Sequence, residues 1–346
     1  MRLDGKSRRG PVARRQFGRR WITAAVVAMA LGAAGGAHAA TLTSFDPPGA
    51  TNTYPTGINK KGAIAGQYID ASRVSHGFLR APDGTFTSFD PPGSVRTVPS
   101  GINNKGAITG WYSDGSVQHG FLRASDGTFT SFDVSGSTVV FPRSINKTGA
   151  ITGDYRDSNG LSHGFVRATD GTITKFDVPN AAKGTLPLSI GAKGAITGWY
   201  LDFAFAPHGF VRASDGTITP FDLPGSKGTN PHSVNRKGAI TGNYTDVSFV
   251  GHGFLRAPDG TLTTFDVSGA LSTYPASLND KGAIAGIYSD ASAYHGFLRA
   301  SDGTITTFDP PEEIDSFNPP SINKAGAITG SYGDINGQSH GFLRTP

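Results

Sequence analysis

The sequence predicts an all-β fold, a seven-bladed β-propeller of four-stranded blades closed by pairing of the N-terminal strand with the C-terminal blade. Three observations point there. One unit is written seven times, with His-Gly-Phe recurring every 43 to 45 residues, a period in the range of propeller blades. The 346 residues include 48 Gly and 22 Pro, a composition that excludes helical bundles and coiled coils because both residues break helices. The chain also enters and leaves the repeat out of phase, beginning with one strand of the unit and ending with another.

Each unit reads as four short strands. In the first these are Thr56–Asn59, Ala63–Tyr68, His76–Ala81 and Thr85–Asp90, rich in β-branched and aromatic residues and bounded by turn signals. Asn59-Lys-Lys-Gly62 and Ala81-Pro-Asp83-Gly84 read as tight turns whose Gly supplies a positive φ. Three connections are hairpin-sized, while Phe-Asp to the next Ile-Asn takes about eleven residues, the long step from an outer edge to the next inner edge. Ile-Asn is therefore expected innermost, then Gly-Ala-Ile, then His-Gly-Phe, with Thr-x-Phe-Asp outermost. Thr41–Asp46 supplies an outermost strand and His340–Arg344 a third strand, so the two ends can complete one blade and remove the exposed edges. The expected repeats run 41–82, 83–125, 126–169, 170–214, 215–258, 259–301 and 302–346.

Residues 1–39 read as a cleavable export signal: a basic stretch, the apolar run Trp21–Leu31, and a Gly/Ala tail ending in Ala37-His38-Ala39. Arg14-Arg15-Gln16-Phe17 resembles the core of a twin-arginine signal. The apolar run is shorter than a bilayer span, so a periplasmic or extracellular protein without an anchor is expected. The net charge of +5 comes from this leader. Eight of the 31 Lys and Arg and one of the 26 acids fall in residues 1–40, leaving 23 bases against 25 acids. That balance is no nucleic-acid footprint. Zero Cys excludes disulfides, thiol nucleophiles and thiolate metal sites.

The combination Ile-Asn-x-x-Gly-x-Ile-x-Gly-x-Tyr followed by His-Gly-Phe resembles the HAF family of probable extracellular repeats across all seven units, residues 41–346. That family is named for a His-Ala-Phe tripeptide, and every copy here has Gly in place of Ala. The resemblance implies an exported, propeller-like protein and carries over no catalytic residue.

The repeated His76, His119, His163, His208, His252, His295 and His340 each follow a Tyr-x-Asp, which supplies Asp70, Asp114, Asp157, Asp202, Asp246, Asp290 and Asp334. Seven identical copies argue for a buried polar network within each hairpin rather than catalysis. Arg80 and Asp83 read as a hairpin-end ion pair. Asp157-Ser-Asn159-Gly160 and Asp334-Ile-Asn336-Gly337 read as turns, since neither has the later Glu of a calcium loop. No metal, cofactor or catalytic residue is expected.

Sequence diversity collects in the connections on one face of the ring, where binding residues of a rigid scaffold usually lie. The x of Gly-x-Tyr is Gln67, Trp111, Asp154, Trp199, Asn243, Ile287 and Ser331. Loops and crossovers on that face add Arg73, Arg96, Phe141, Arg156, Phe203, Phe205, Phe249, Tyr274 and Tyr294. Of these, Trp111, Trp199, Phe203, Phe205, Arg156 and Tyr294 are the candidate ligand-binding residues. Blade 4 diverges most, with Gly191 in place of the usual Asn. Aspartates are expected around the variable face, and Lys60, Lys147, Lys324 and their neighbours around the opposite one, which suits neutral sugars, cations or basic peptides on the acidic rim. A monomeric binding module for a glycan or a protein is expected. A hydrolase or lyase acting in the central channel, with Asp154, Arg156 and His232 as candidates, and a purely structural envelope protein are the alternatives.

Overall fold

The computed structural model describes residues 40–310, 314–318 and 320–346; the expected export signal lies outside them. Six sheets of four antiparallel strands follow one another along the chain, each in simple sequential order. The first blade runs Ala50–Ile58, Ile64–Asp70, Ser75–Arg80 and Phe86–Phe89 from axis to rim. Inner strands of successive blades touch one another around the axis, which places Ile-Asn innermost as the loop lengths predict. The seventh blade is composite. Its third strand, Ser339–Thr345, takes Thr41–Phe45 as its outer neighbour, with Thr41 opposite Thr345 and Phe45 opposite Gly341. Its inner strand is split into Ile314–Phe317 and Ser321–Ile322. Among the described residues no helix is long and apolar enough to cross a membrane.

The inner strands start earlier than expected, because part of each crossover is already paired. A register shift beside a proline, such as Pro55 or Pro142, lets the strand bend toward the axis, and proline is tolerated in this edge strand beside the channel. The turns behave as predicted, with Gly62 at φ 88° and Gly84 at φ 93°.

Packing explains the repeated letters. Ile64 and Phe78, with their counterparts in the other blades, are fully buried between sheets. The Gly of His-Gly-Phe is required by the Phe of Phe-Asp: a Cβ on Gly77 would sit 2.3 Å from the Phe89 ring, and one on Gly120 would sit 2.7 Å from Phe132. The Gly of this tripeptide therefore has a steric cause. The same Phe rings receive an arginine from the next blade. Arg123 lies 4.9 Å over Phe89, Arg80 lies 5.0 Å over Phe45, and Arg344 lies 5.2 Å over Phe308. Arg80 and Asp83 attract each other as expected, but through space and without a direct salt bridge. The guanidinium packs on an aromatic face, while Asp83 accepts a hydrogen bond from the backbone N–H of Thr85 at 2.9 Å.

A second device closes the ring at the axis. The Asn of Ile-Asn accepts its own turn's N–H groups on Oδ1, as Asn59 does from Lys61 and Ala63. Its amide then donates to the main-chain carbonyl of the equivalent residue one blade on. Asn103 reaches Asn146 at 3.1 Å, and Asn323 reaches Asn59 at 3.1 Å, joining the last blade to the first. Gly191 has no such amide, so its link to blade 5 is missing while Asn146 still donates to its carbonyl.

Candidate functional site

Four separately written motifs meet in one unit near the rim of every blade. In blade 1, His76 Nδ1 lies 2.7 Å from the Phe-Asp carboxylate of Asp90, and Nε2 lies 3.5 Å from Asp70. The Tyr68 ring packs on the imidazole with centroids 5.2 Å apart, and its hydroxyl bonds Ser88. The pattern repeats at His119, His163, His208, His252, His295 and His340. The expected partner is thus the weaker of two; the aspartate of Phe-Asp, brought in by the outer strand, holds the shorter contact. The network is also half-buried rather than buried, with His side chains 18% to 28% exposed.

Burial opposes protonation of His76, His119, His208 and His252, but the two flanking carboxylates outweigh it and raise their pKa above the usual value. Asp70, Asp114, Asp202 and Asp246 are held below the usual carboxylate range, chiefly by N–H groups of the turn each one caps. Such a unit ties three strands together through charge-assisted bonds. Among the described residues no three His, Asp or Glu are gathered as metal ligands. Asp157 and Asp334 cap their own turns through backbone N–H bonds.

The x of Gly-x-Tyr divides into fillers and exceptions. Ile287 is buried in the core shared with blade 7. Gln67 bonds Ser75, Ser331 bonds Asn318, and Asn243 Oδ1 accepts from His232 Nε2 at 2.9 Å. Tyr274 covers Gly251, where a Cβ would meet its ring at 2.9 Å. Burial holds the His232 pKa below its usual value.

The seam between blades 2 and 3 differs. Half-buried Trp111 meets Phe141 edge to face at 6.3 Å. Arg96 lies 5.0 Å over the Trp111 ring, while Arg143 and Arg156 lie 5.0 Å and 5.8 Å over Phe141. Asp154 is 1% exposed and bonds Arg143 Nε at 2.7 Å. Its burial raises the carboxyl pKa, and Arg143 and Arg156 oppose that rise. Arg143 was not among the sequence candidates. It occupies the extra residue of the inner-strand register shift, and the sole signal was a charged side chain where other blades have Thr56, Ser100, Leu188, His232, Ala276 and Pro320.

The other candidates lie elsewhere. Trp199 is half-buried in blade 4, cross-strand from Leu186. Phe203 is 83% exposed and Phe205 63%, with Lys183 Nζ 5.1 Å over the Phe205 ring. Tyr294 stands exposed on blade 6. The six candidates therefore do not form one site: Trp111 and Arg156 share a seam, Trp199, Phe203 and Phe205 belong to blade 4, and Tyr294 stands apart. Phe205 and Phe249 adopt φ of 62° and 63° at the loop position where blades 3 and 7 have Gly160 and Gly337. A left-handed phenylalanine is an outlier among L-residues and costs on the order of 1 kcal/mol, here with the ring left in water.

At the opposite end of the axis lies a cavity of about 300 Å³, ringed by the Ile-Asn turns with Lys60, Lys147, Arg236 and Lys324 at its edge.

The fold and its sites define a closed seven-bladed β-propeller with a sevenfold scaffold and an unrepeated face. No family model matches the chain, and no curated protein does. Solved structures match at low identity. A catalytically inactive histidine-to-alanine form of virginiamycin B lyase from Staphylococcus aureus, with quinupristin, is 16% identical, with 89% of this chain and 100% of that chain covered and a TM-score of 0.62. The β-propeller domain of the Trilobed protease from Pyrococcus furiosus is 9% identical, covers 85% and 94%, and has a TM-score of 0.60. A prolyl endopeptidase is 10% identical, covers 86% and 50%, and has a TM-score of 0.60. The likeness extends to the fold alone. The Pyrococcus domain has an open velcro topology, whereas here Thr41–Phe45 closes the ring.

Proposed function

We propose that this protein is an exported β-propeller binding module, a His-Gly-Phe branch of the HAF repeats, whose unrepeated face holds a glycan. The observation that carries the reading is the contrast within that face. Residues repeated in every blade are engaged in holding blades together, and the unrepeated ones include exposed Phe203, Phe205 and Phe249, two of them in left-handed backbone. Strain kept at exposed aromatic tips points from geometry toward use, and flat amphipathic surfaces are what sugar rings and partner side chains pack on.

The test is binding of the purified protein to an array of envelope and extracellular polysaccharides, repeated with Trp199→Ala and with Phe203→Ala/Phe205→Ala. A contacting aromatic contributes roughly 1–3 kcal/mol, so each variant should bind about 10- to 100-fold more weakly while melting as the parent does. Absence of binding to every glycan, or undiminished binding by the folded variants, overturns the reading.

A second reading, a lyase or hydrolase working near the axis, has one observation in its favour. His232 is outside the repeat pattern and stands on an inner strand, bonded to Asn243, where burial favours its neutral form. A streptogramin B lyase is among the similar folds, at 16% identity. Linearisation of quinupristin by the parent and not by His232→Ala would replace the binding reading.

A further inference from the structure

We infer that the seam between blades 2 and 3 recognises carboxylates of an acidic sugar chain; this rests on the glycan-binding reading and names the class of glycan. Arg96, Trp111, Phe141, Arg143 and Arg156 form one connected row, no link of which exceeds 6.3 Å. Each ring already has an arginine over it, with Cζ 5.0 Å from the Trp111 centroid and 5.0 Å and 5.8 Å from that of Phe141. Stacking on a ring fixes the plane of a guanidinium and leaves its N–H edges directed outward, where they match the two oxygens of a carboxylate.

The row is not neutralised from within. Three arginines face one carboxylate, Asp154, and that group is bonded to Arg143. Arg96 and Arg156 are exposed and form no salt bridge among the described residues; both lie over the rings, and Arg156 acts on Asp154 through space alone. No other seam carries such charge. The equivalents of Arg156 are Ile69, Ser113, Leu201, Thr245, Ser289 and Gly333, and those of Arg143 are uncharged apart from the titratable His232. Within a face that still carries the aspartates of the His units, this one seam is locally cationic. Surrounding aspartates still penalise dense polyanions, which favours singly charged carboxylates over phosphate. An extended row rather than a point suits a chain bearing more than one of them.

The experiment is calorimetric titration of the full chain with oligogalacturonate, with carboxyl-reduced oligogalacturonate of the same length, and with polyglutamate. The parent and Arg96→Gln/Arg156→Gln are compared. Oligogalacturonate should bind the parent, more weakly as salt rises, and shift its tryptophan emission through Trp111. The double variant should keep the parent's melting temperature and lose about 30-fold or more in affinity, as expected for two charge-assisted contacts. Lys60→Gln/Lys147→Gln, on the opposite face, should bind as the parent does. Undiminished affinity in the folded double variant, equal binding of the carboxyl-reduced chain, or tighter binding of polyglutamate overturns the inference. If the array detects neutral glycans and no acidic one, this inference falls and the binding module stands; if it detects no glycan, both fall.

Discussion

The rim of each blade and the seam between blades 2 and 3 use the same chemical parts to opposite ends. At the rim, Arg123 stacks on Phe89, two carboxylates flank the His76 imidazole, and a tyrosine covers it. At the seam, Arg96 stacks on Trp111, Asp154 meets Arg143, and Phe141 takes two guanidiniums. The rim parts recur in every blade and are bonded to one another, so they stabilise the ring. The seam parts occur once and carry more arginines than carboxylates. Repetition with mutual bonding marks scaffold, and singularity with exposed cations marks a place for a ligand.

Four measurements would break or sharpen that contrast. The largest effect should come from deleting residues 339–346, which removes the strand paired with Thr41–Phe45 and opens two edges. The deletion should abolish the cooperative melt and give concentration-dependent aggregation; a clean monomer with the parent's melting curve would disprove closure.

Next is Gly120→Ala, where the new methyl would meet Phe132 at 2.7 Å. Overpacking of this kind costs about 1–3 kcal/mol, read as a lower denaturation midpoint, and Phe132→Leu in the same chain should recover part of it. A neutral result would mean that the Gly of His-Gly-Phe is not dictated by packing.

Third is the pH profile of stability. Histidines with raised pKa, such as His76 and His119, stabilise fully below their unfolded value of about 6.5, and that contribution is lost as pH rises through the folded pKa. Aspartates with lowered pKa, such as Asp70 and Asp246, stabilise above an unfolded value of about 3.9 and lose this as pH falls. The melting temperature should therefore peak between about pH 5 and 6 and decline on both sides. His76→Ala should flatten part of the alkaline decline, and a profile rising from pH 6 to 8 would contradict the rim assignment.

The smallest effect is a gain. Gly191→Asn should supply the missing amide of the axial ring, whose Cβ fits with slight adjustment 3.2 Å from the Asn235 carbonyl. A single added hydrogen bond and a less flexible unfolded chain contribute about 1 kcal/mol. A loss of stability would show that blade 4 is shaped to do without it.

Much of the rim was legible in advance, because a motif copied seven times announces its positions. Which aspartate holds each histidine was not, since Asp90 reaches His76 from an outer strand fourteen residues on while Asp70 is the nearer in sequence. Sequence proximity showed the attraction between Arg80 and Asp83 but not the packing of Arg80 on Phe45 in the neighbouring blade. The seam was half legible: Trp111 and Arg156 stood out as departures from the repeat, and Arg143 was hidden by the register shift that turns it toward Asp154.

By itself the sequence determined the number of blades, the order of strands within each and the way the ring closes. Those properties follow from local periodicity, turn chemistry and loop length, which act over a few residues. The tertiary structure alone decided which charges are neutralised, which aromatics are exposed and which arginines share a row. Each of these depends on side chains that strand pairing or a blade seam brings together, as Arg143 meets Asp154 and Trp111 meets Phe141, and spacing along the chain does not give those contacts.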